Sequence, residues 1–187
     1  MEHLVKIIEA LVWPVTMLIL VFSLRKPIVE IIPQLTKFKF KELEMEFEKE
    51  LKEISDKSRD SKSRIETDIP RDEEEEHYLE EIKRTSPRAA ILESWLGLES
   101  QVLSTTAHFE LLPKNQRPTF SASLKALEKV EVIAQDDMEL INGLRKLRNM
   151  AVHQASFTIT EDEAALFIEA ARDQAEMIVG KSWQKLG

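Results

Sequence analysis

Apolar residues recur at helical spacing through the last hundred residues of the chain. Ile91, Trp95, Leu98 and Val102 fall four, three and four apart and predict a helix from about Arg88 to Thr105. Leu124, Leu127 and Val130 predict a second over Ser121 to Ala134, after a loop carrying Pro113 and Pro118. Leu140, Leu144, Leu147 and Ala151 form the stripe of a third over Asp136 to Gln154, with Asp136 and Asp137 suited to the positive end of its dipole. A fourth opens at Thr160-Glu161-Asp162-Glu163, the pattern of a capping box in which Glu163 reaches back to the cap. It continues with Ala164, Ile168, Ala171, Ala175 and Ile178 on one face, small enough to let a neighbouring helix approach closely. Short connections between such helices predict an all-α, antiparallel bundle over 87–187.

The N-terminal pattern is different. Ala10 to Leu24 carries no charge, and counting back to Ile7 gives a run of about 27 Å, close to the hydrocarbon thickness of a bilayer. A single transmembrane helix is expected over 1–26, with Trp13 near an interface. Arg25, Lys26, Lys37, Lys39 and Lys41 follow the run and only Lys6 precedes it, so a single-pass membrane protein with a cytoplasmic C-terminal domain is expected. A buried core helix and an interfacial anchor are the alternatives; no small-x-small cleavage pattern follows Leu24.

Residues 27–54 read as a juxtamembrane amphipathic connector whose lysines could touch anionic membrane lipid. Lys37 to Phe47 alternates polar and apolar residues as a strand does, while Glu42 to Ile54 also suits a charged helix, and the sequence leaves both open. Residues 55–86, with the run Asp72-Glu73-Glu74-Glu75-Glu76, have few apolar groups to offset ordering entropy and read as a flexible acidic linker, helical at most near Glu75 to Arg84.

Composition narrows the chemistry. The absence of cysteine removes disulfides, thiolate nucleophiles and sulfur-ligated metals, and four glycines in 187 residues leave little turn chemistry for a sheet. A net charge of −8 excludes a broad polyanion-binding surface, so any such site is local. From Pro87 onward, 14 acidic residues stand against 11 basic ones, a nearer balance than in the linker.

The local candidate is Leu144-Arg145-Lys146-Leu147-Arg148-Asn149-Met150-Ala151-Val152-His153. Placing Leu140, Leu144, Leu147 and Ala151 inward puts Arg148 at the edge of the core face and Asn149 and His153, four apart, outside. A guanidinium can bind phosphate in two-pronged fashion, and an imidazole titrating near neutrality can move a proton. Together they suffice for metal-free RNA cleavage, in which the 2′-hydroxyl is the nucleophile. By spacing alone, the same residues also read as a decorated helix surface.

Arg148-Asn149-x-x-x-His153, the following ITEDEAA with its alanine-rich helix, and the opening SPRAAILESWLGLE resemble the HEPN superfamily over about Pro87 to Trp183. The resemblance implies a helical bundle forming a homodimer through the motif-bearing face. It also implies either a metal-independent endoribonuclease of toxin–antitoxin or defence type, or a non-catalytic interaction module. By likeness Arg148 holds the scissile phosphate, His153 is the acid/base group and Asn149 supports them, while Arg145 and Lys146 lend positive charge for substrate binding. No cofactor or metal is implied; RNA and a regulatory protein are the implied partners.

Overall fold

The computed structural model describes residues 2–63, 72–113, 115, 117–153 and 158–187; within the first helix, side chains are described over 12–26 and 41–62. The described elements are all helical: α1 (Glu2–Ser63), α2 (Glu73–Thr85), α3 (Pro87–His108), α4 (Phe120–Lys129), α5 (Gln135–His153) and α6 (Glu161–Leu186). The chain divides into two compact units, Met1–Leu43 and Glu44–Gly187.

In the first unit, Val12, Trp13, Leu18, Ile19 and Phe22 are exposed on α1. Among the described residues, however, no helix is long and apolar enough to cross a membrane. That overturns the transmembrane helix expected over 1–26, and with it the single-pass membrane localisation. The uncharged run from Ala10 to Leu24 covers only about 22 Å at helical rise, and α1 continues past it through Arg25 and Lys26.

The second unit begins earlier than the pattern of apolar residues suggests. Phe47, Leu51, Ile54 and Ser58 recur four, three and four apart on α1 and are all buried. The open choice over residues 37–54 resolves as helix. The flexible linker expected over 55–86 is helical up to Ser63 and again from Glu73, with Asp72 capping α2 through the Glu74 and Glu75 N–H groups. Leu79 of α2 is buried against Ala90 and Ile168, with Ile82 packed alongside. Residues 64–71 of that expected linker lie outside the described residues.

Polar contacts reinforce the α1–α6 seam. Lys62 Nζ reaches Asp173 Oδ1 at 2.8 Å and Glu176 Oε2 at 2.7 Å, and Gln174 Nε2 donates to Ser58 Oγ at 3.3 Å. Where α1 passes α5, Gly143 removes a side chain: a Cβ there would stand 2.6 Å from Ile54 Cδ1.

The expected bundle stripes lie inside except at Val130 and Ala175, which are half-buried. Ile91, Trp95, Leu98 and Val102 of α3 are buried, as are Leu124 and Leu127 of α4 and Ala164, Ile168, Ala171 and Ile178 of α6. Trp95 meets Phe120 edge-on at 5.1 Å between ring centres. The capping box forms as expected, Thr160 accepting from Glu163 N–H and Glu163 accepting from Thr160 N–H. α4 stops at Lys129 rather than Ala134. Glu131 adopts a left-handed backbone (φ 55°), and Val132 N–H then returns to the Leu127 carbonyl at 2.9 Å, a closure that ends a helix.

Candidate functional site

The register of α5 decides what the motif presents. Leu140, Ile141, Leu144, Leu147, Met150 and Ala151 are buried, so the face carrying Arg145, Asn149 and His153, four residues apart in one row, lies outside. Arg148, four residues after Leu144 and three before Ala151 and so at the edge of that buried face, is half-buried. The helix is described to His153; its expected last residue, Gln154, lies outside the described residues.

Asn142, Arg145, Lys146, Asn149, Met150 and His153 line an open depression on this face. Arg148 does not line it, but its Nη1 donates to Asn149 Oδ1 at 3.0 Å. That bond fixes the amide and leaves its NH₂ group directed elsewhere. Arg148 Nε is buried without a hydrogen-bond partner among the described residues. The motif therefore forms one connected surface: a guanidinium at the core edge, an amide bonded to it, and an exposed imidazole one turn further along.

Positive charge on this face comes mainly from Arg145. Lys146 Nζ is engaged by Glu50 Oε2 at 2.6 Å and Glu46 Oε1 at 3.2 Å, both on α1. The hydrogen bonds that Lys146 donates to Glu50 and Glu46 raise its pKa above the ordinary value, so the group stays an ammonium with its charge offset by the two carboxylates. Beyond the helix, Thr158 N–H donates to Glu44 Oε1 at 3.1 Å. α1 carboxylates thus touch the chain on both sides of the motif.

Arg88 was not singled out by the sequence pattern. It stands in the first turn of α3, where Ser86 caps and Pro87 opens the helix, and its Nη1 donates to the Ala151 carbonyl in the last turn of α5. Carbonyls at a helix end lack intrahelical partners, so this bond secures the end of α5 that carries His153. Glu44, Glu46 and Glu50 were also unassigned. Their clue is the four-and-three spacing of Phe47, Leu51 and Ile54: Glu46 and Glu50 each stand one residue before a buried position, and Glu44 three before Phe47, so all three flank that stripe. No group of three or more His, Asp or Glu side chains among the described residues is placed to hold a metal ion.

Residues 79–178, more than half of the chain, match a protein family described as a domain of unknown function, DUF4145. The match runs from within α2 to within α6 and contains the whole of α5. No curated protein and no solved structure matches the chain.

Proposed function

The chain belongs to the DUF4145 family, and from the arrangement on α5 we propose that it is a HEPN-like, metal-independent endoribonuclease acting as a homodimer. The observation that supports this most is the connected set on one helix face: Arg148 bonded to Asn149, with Asn149 sharing an open depression with His153 and Arg145. In this reading the neutral His153 imidazole removes the proton from a ribose 2′-hydroxyl. The oxygen attacks the adjacent phosphorus and expels the 5′-oxygen of the next nucleotide, which takes a proton from the imidazolium. The products are a 2′,3′-cyclic phosphate and a 5′-hydroxyl. Arg145, with Arg148 behind Asn149, offsets the charge that develops on the phosphoryl oxygens. One helix supplies half of such a site, and a second copy facing it supplies the rest.

A second reading, a non-catalytic module that docks a regulatory protein, is favoured by the engagement of Lys146 with Glu46 and Glu50. It predicts no RNA turnover and a stable protein partner. The purified full chain, incubated with single-stranded RNA in EDTA, separates the two. The ribonuclease reading predicts cyclic phosphate ends and their loss in His153→Ala; cutting that survives this substitution overturns it.

A further inference from the structure

The face of α5 that carries His153 meets α1 through carboxylates, and α1 is firmly seated. Phe47 and Leu51 are fully buried, and the two turns between Glu44 and Glu50 bring three acidic groups to α5 and its flank. Glu46 and Glu50 both hold Lys146, and Glu44 holds the Thr158 N–H. These are the partners that a phosphate would take: an ammonium next to the imidazole row and a backbone N–H just past the helix. Lys146 and Glu46 are about half exposed, at 52% and 50% for their side chains, so the pair is open to competition by an anion from solution. Other α1 glutamates are used differently. Glu48 and Glu53 pair along their own helix with Lys52 and Lys57.

We propose that Glu46 and Glu50 form an autoinhibitory contact, occupying Lys146 as an internal counter-ion and holding down RNA affinity on the motif face. Resting on the ribonuclease reading, this assigns the regulation of its site to α1. Phosphates of a bound strand must displace the two carboxylates from Lys146, and whatever draws those carboxylates away raises affinity. Because the apolar stripe of α1 stays seated, the switch is a change of ion-pair partner and requires no undocking of the helix.

The test is binding of a fluorescent single-stranded RNA oligonucleotide to the full chain across a salt series. Glu46→Gln with Glu50→Gln should tighten binding about fivefold at low salt and steepen the logarithmic salt dependence by about 0.7, the slope expected for one added phosphate contact on a single strand. Adding Lys146→Gln to that variant should return both values to those of the unaltered chain. The charge-matched variant Glu48→Gln with Glu53→Gln frees two lysines elsewhere on α1 and should leave the slope unchanged. Equal tightening in this control would show a general charge effect and overturn the proposal. So would RNA binding by the unaltered chain that the Glu46/Glu50 variant does not strengthen, an outcome that leaves the ribonuclease reading standing if His153-dependent cleavage persists. Absence of RNA binding in every form would sink both. A circular-dichroism melt shared by all variants verifies that they are folded.

Discussion

The two ends of α5 use polar side chains in opposite ways. At the N-terminal end, Asp137 is 4% exposed and its carboxylate accepts from the Ala134 N–H at 2.9 Å, from Ser61 Oγ at 3.0 Å and from Lys181 Nζ at 2.9 Å. One residue thereby ties α5 to α1 and α6. At the C-terminal end, Asn149 and His153 are exposed, and the Arg148–Asn149 bond is internal to the motif. A buried charge is tolerated only when its hydrogen-bonding capacity is met by the protein; an exposed row of donors and an imidazole keeps that capacity for something else. The closed end belongs to the architecture, and the open end is where chemistry has room.

The largest effect should come from breaking the closed side at its apolar base. Phe47→Ala empties a fully buried site on α1 and should cost about 3–5 kcal/mol in urea unfolding; a loss below about 1 kcal/mol would mean that α1 is not part of this core. Next is Asp137→Asn, which weakens the bond to Lys181 and should cost about 2 kcal/mol. Burial alone pushes the Asp137 carboxyl up, but the Ala134 N–H, Lys181 and Ser61 outweigh it and hold it below its ordinary value of 3.8. A carboxyl depressed on folding contributes stability that is fully present above that value and lost as pH falls through the lower folded one. Unfolding midpoints measured between pH 6 and pH 2 should therefore show an acid-side decline that is shallower in Asp137→Asn.

That much of the closed side was partly written in the sequence. The spacing of Leu140, Leu144, Leu147 and Ala151 specified the inward face of α5, and Thr160 with Glu163 specified the start of α6, because both are local periodicities or local hydrogen bonds. The α1 contribution was hidden for a physical reason. Phe47, Leu51 and Ile54 are separated by Glu48, Lys49, Glu50, Lys52 and Glu53, and the stripe continues in Ser55 and Ser58, residues typical of a linker. Those two serines are buried at 4% and 0% exposure, small enough to pack beside apolar neighbours, and Ser58 accepts from Gln174 there. In the same way Leu79 and Ile82 were outnumbered by the acidic residues of α2. The uncharged N-terminal run misled in the other direction, since apolar composition without sufficient length does not specify a membrane span. At the candidate site, the exposed pair of Asn149 and His153 was legible from helical spacing, and Arg145 joins their row in the structure. The engagement of Lys146 by α1 was not legible, because it joins residues about a hundred positions apart.

On the open side, effects on stability should be small. Lys146→Gln should change the unfolding free energy by less than about 1 kcal/mol, since pairs this exposed contribute little. A larger loss in denaturant titration would move Lys146 to the architectural side of the comparison.

The two ends can be set against each other in one paired measurement, RNA cleavage rate in EDTA and urea midpoint for Asp137→Asn and His153→Asn in the full chain. The expected result is a lowered midpoint with cleavage retained for Asp137→Asn, and an unchanged midpoint with cleavage reduced at least about a hundredfold for His153→Asn. Full cleavage by His153→Asn, or a loss of stability in it equal to that of Asp137→Asn, would contradict the assignment of chemistry to the open end of α5.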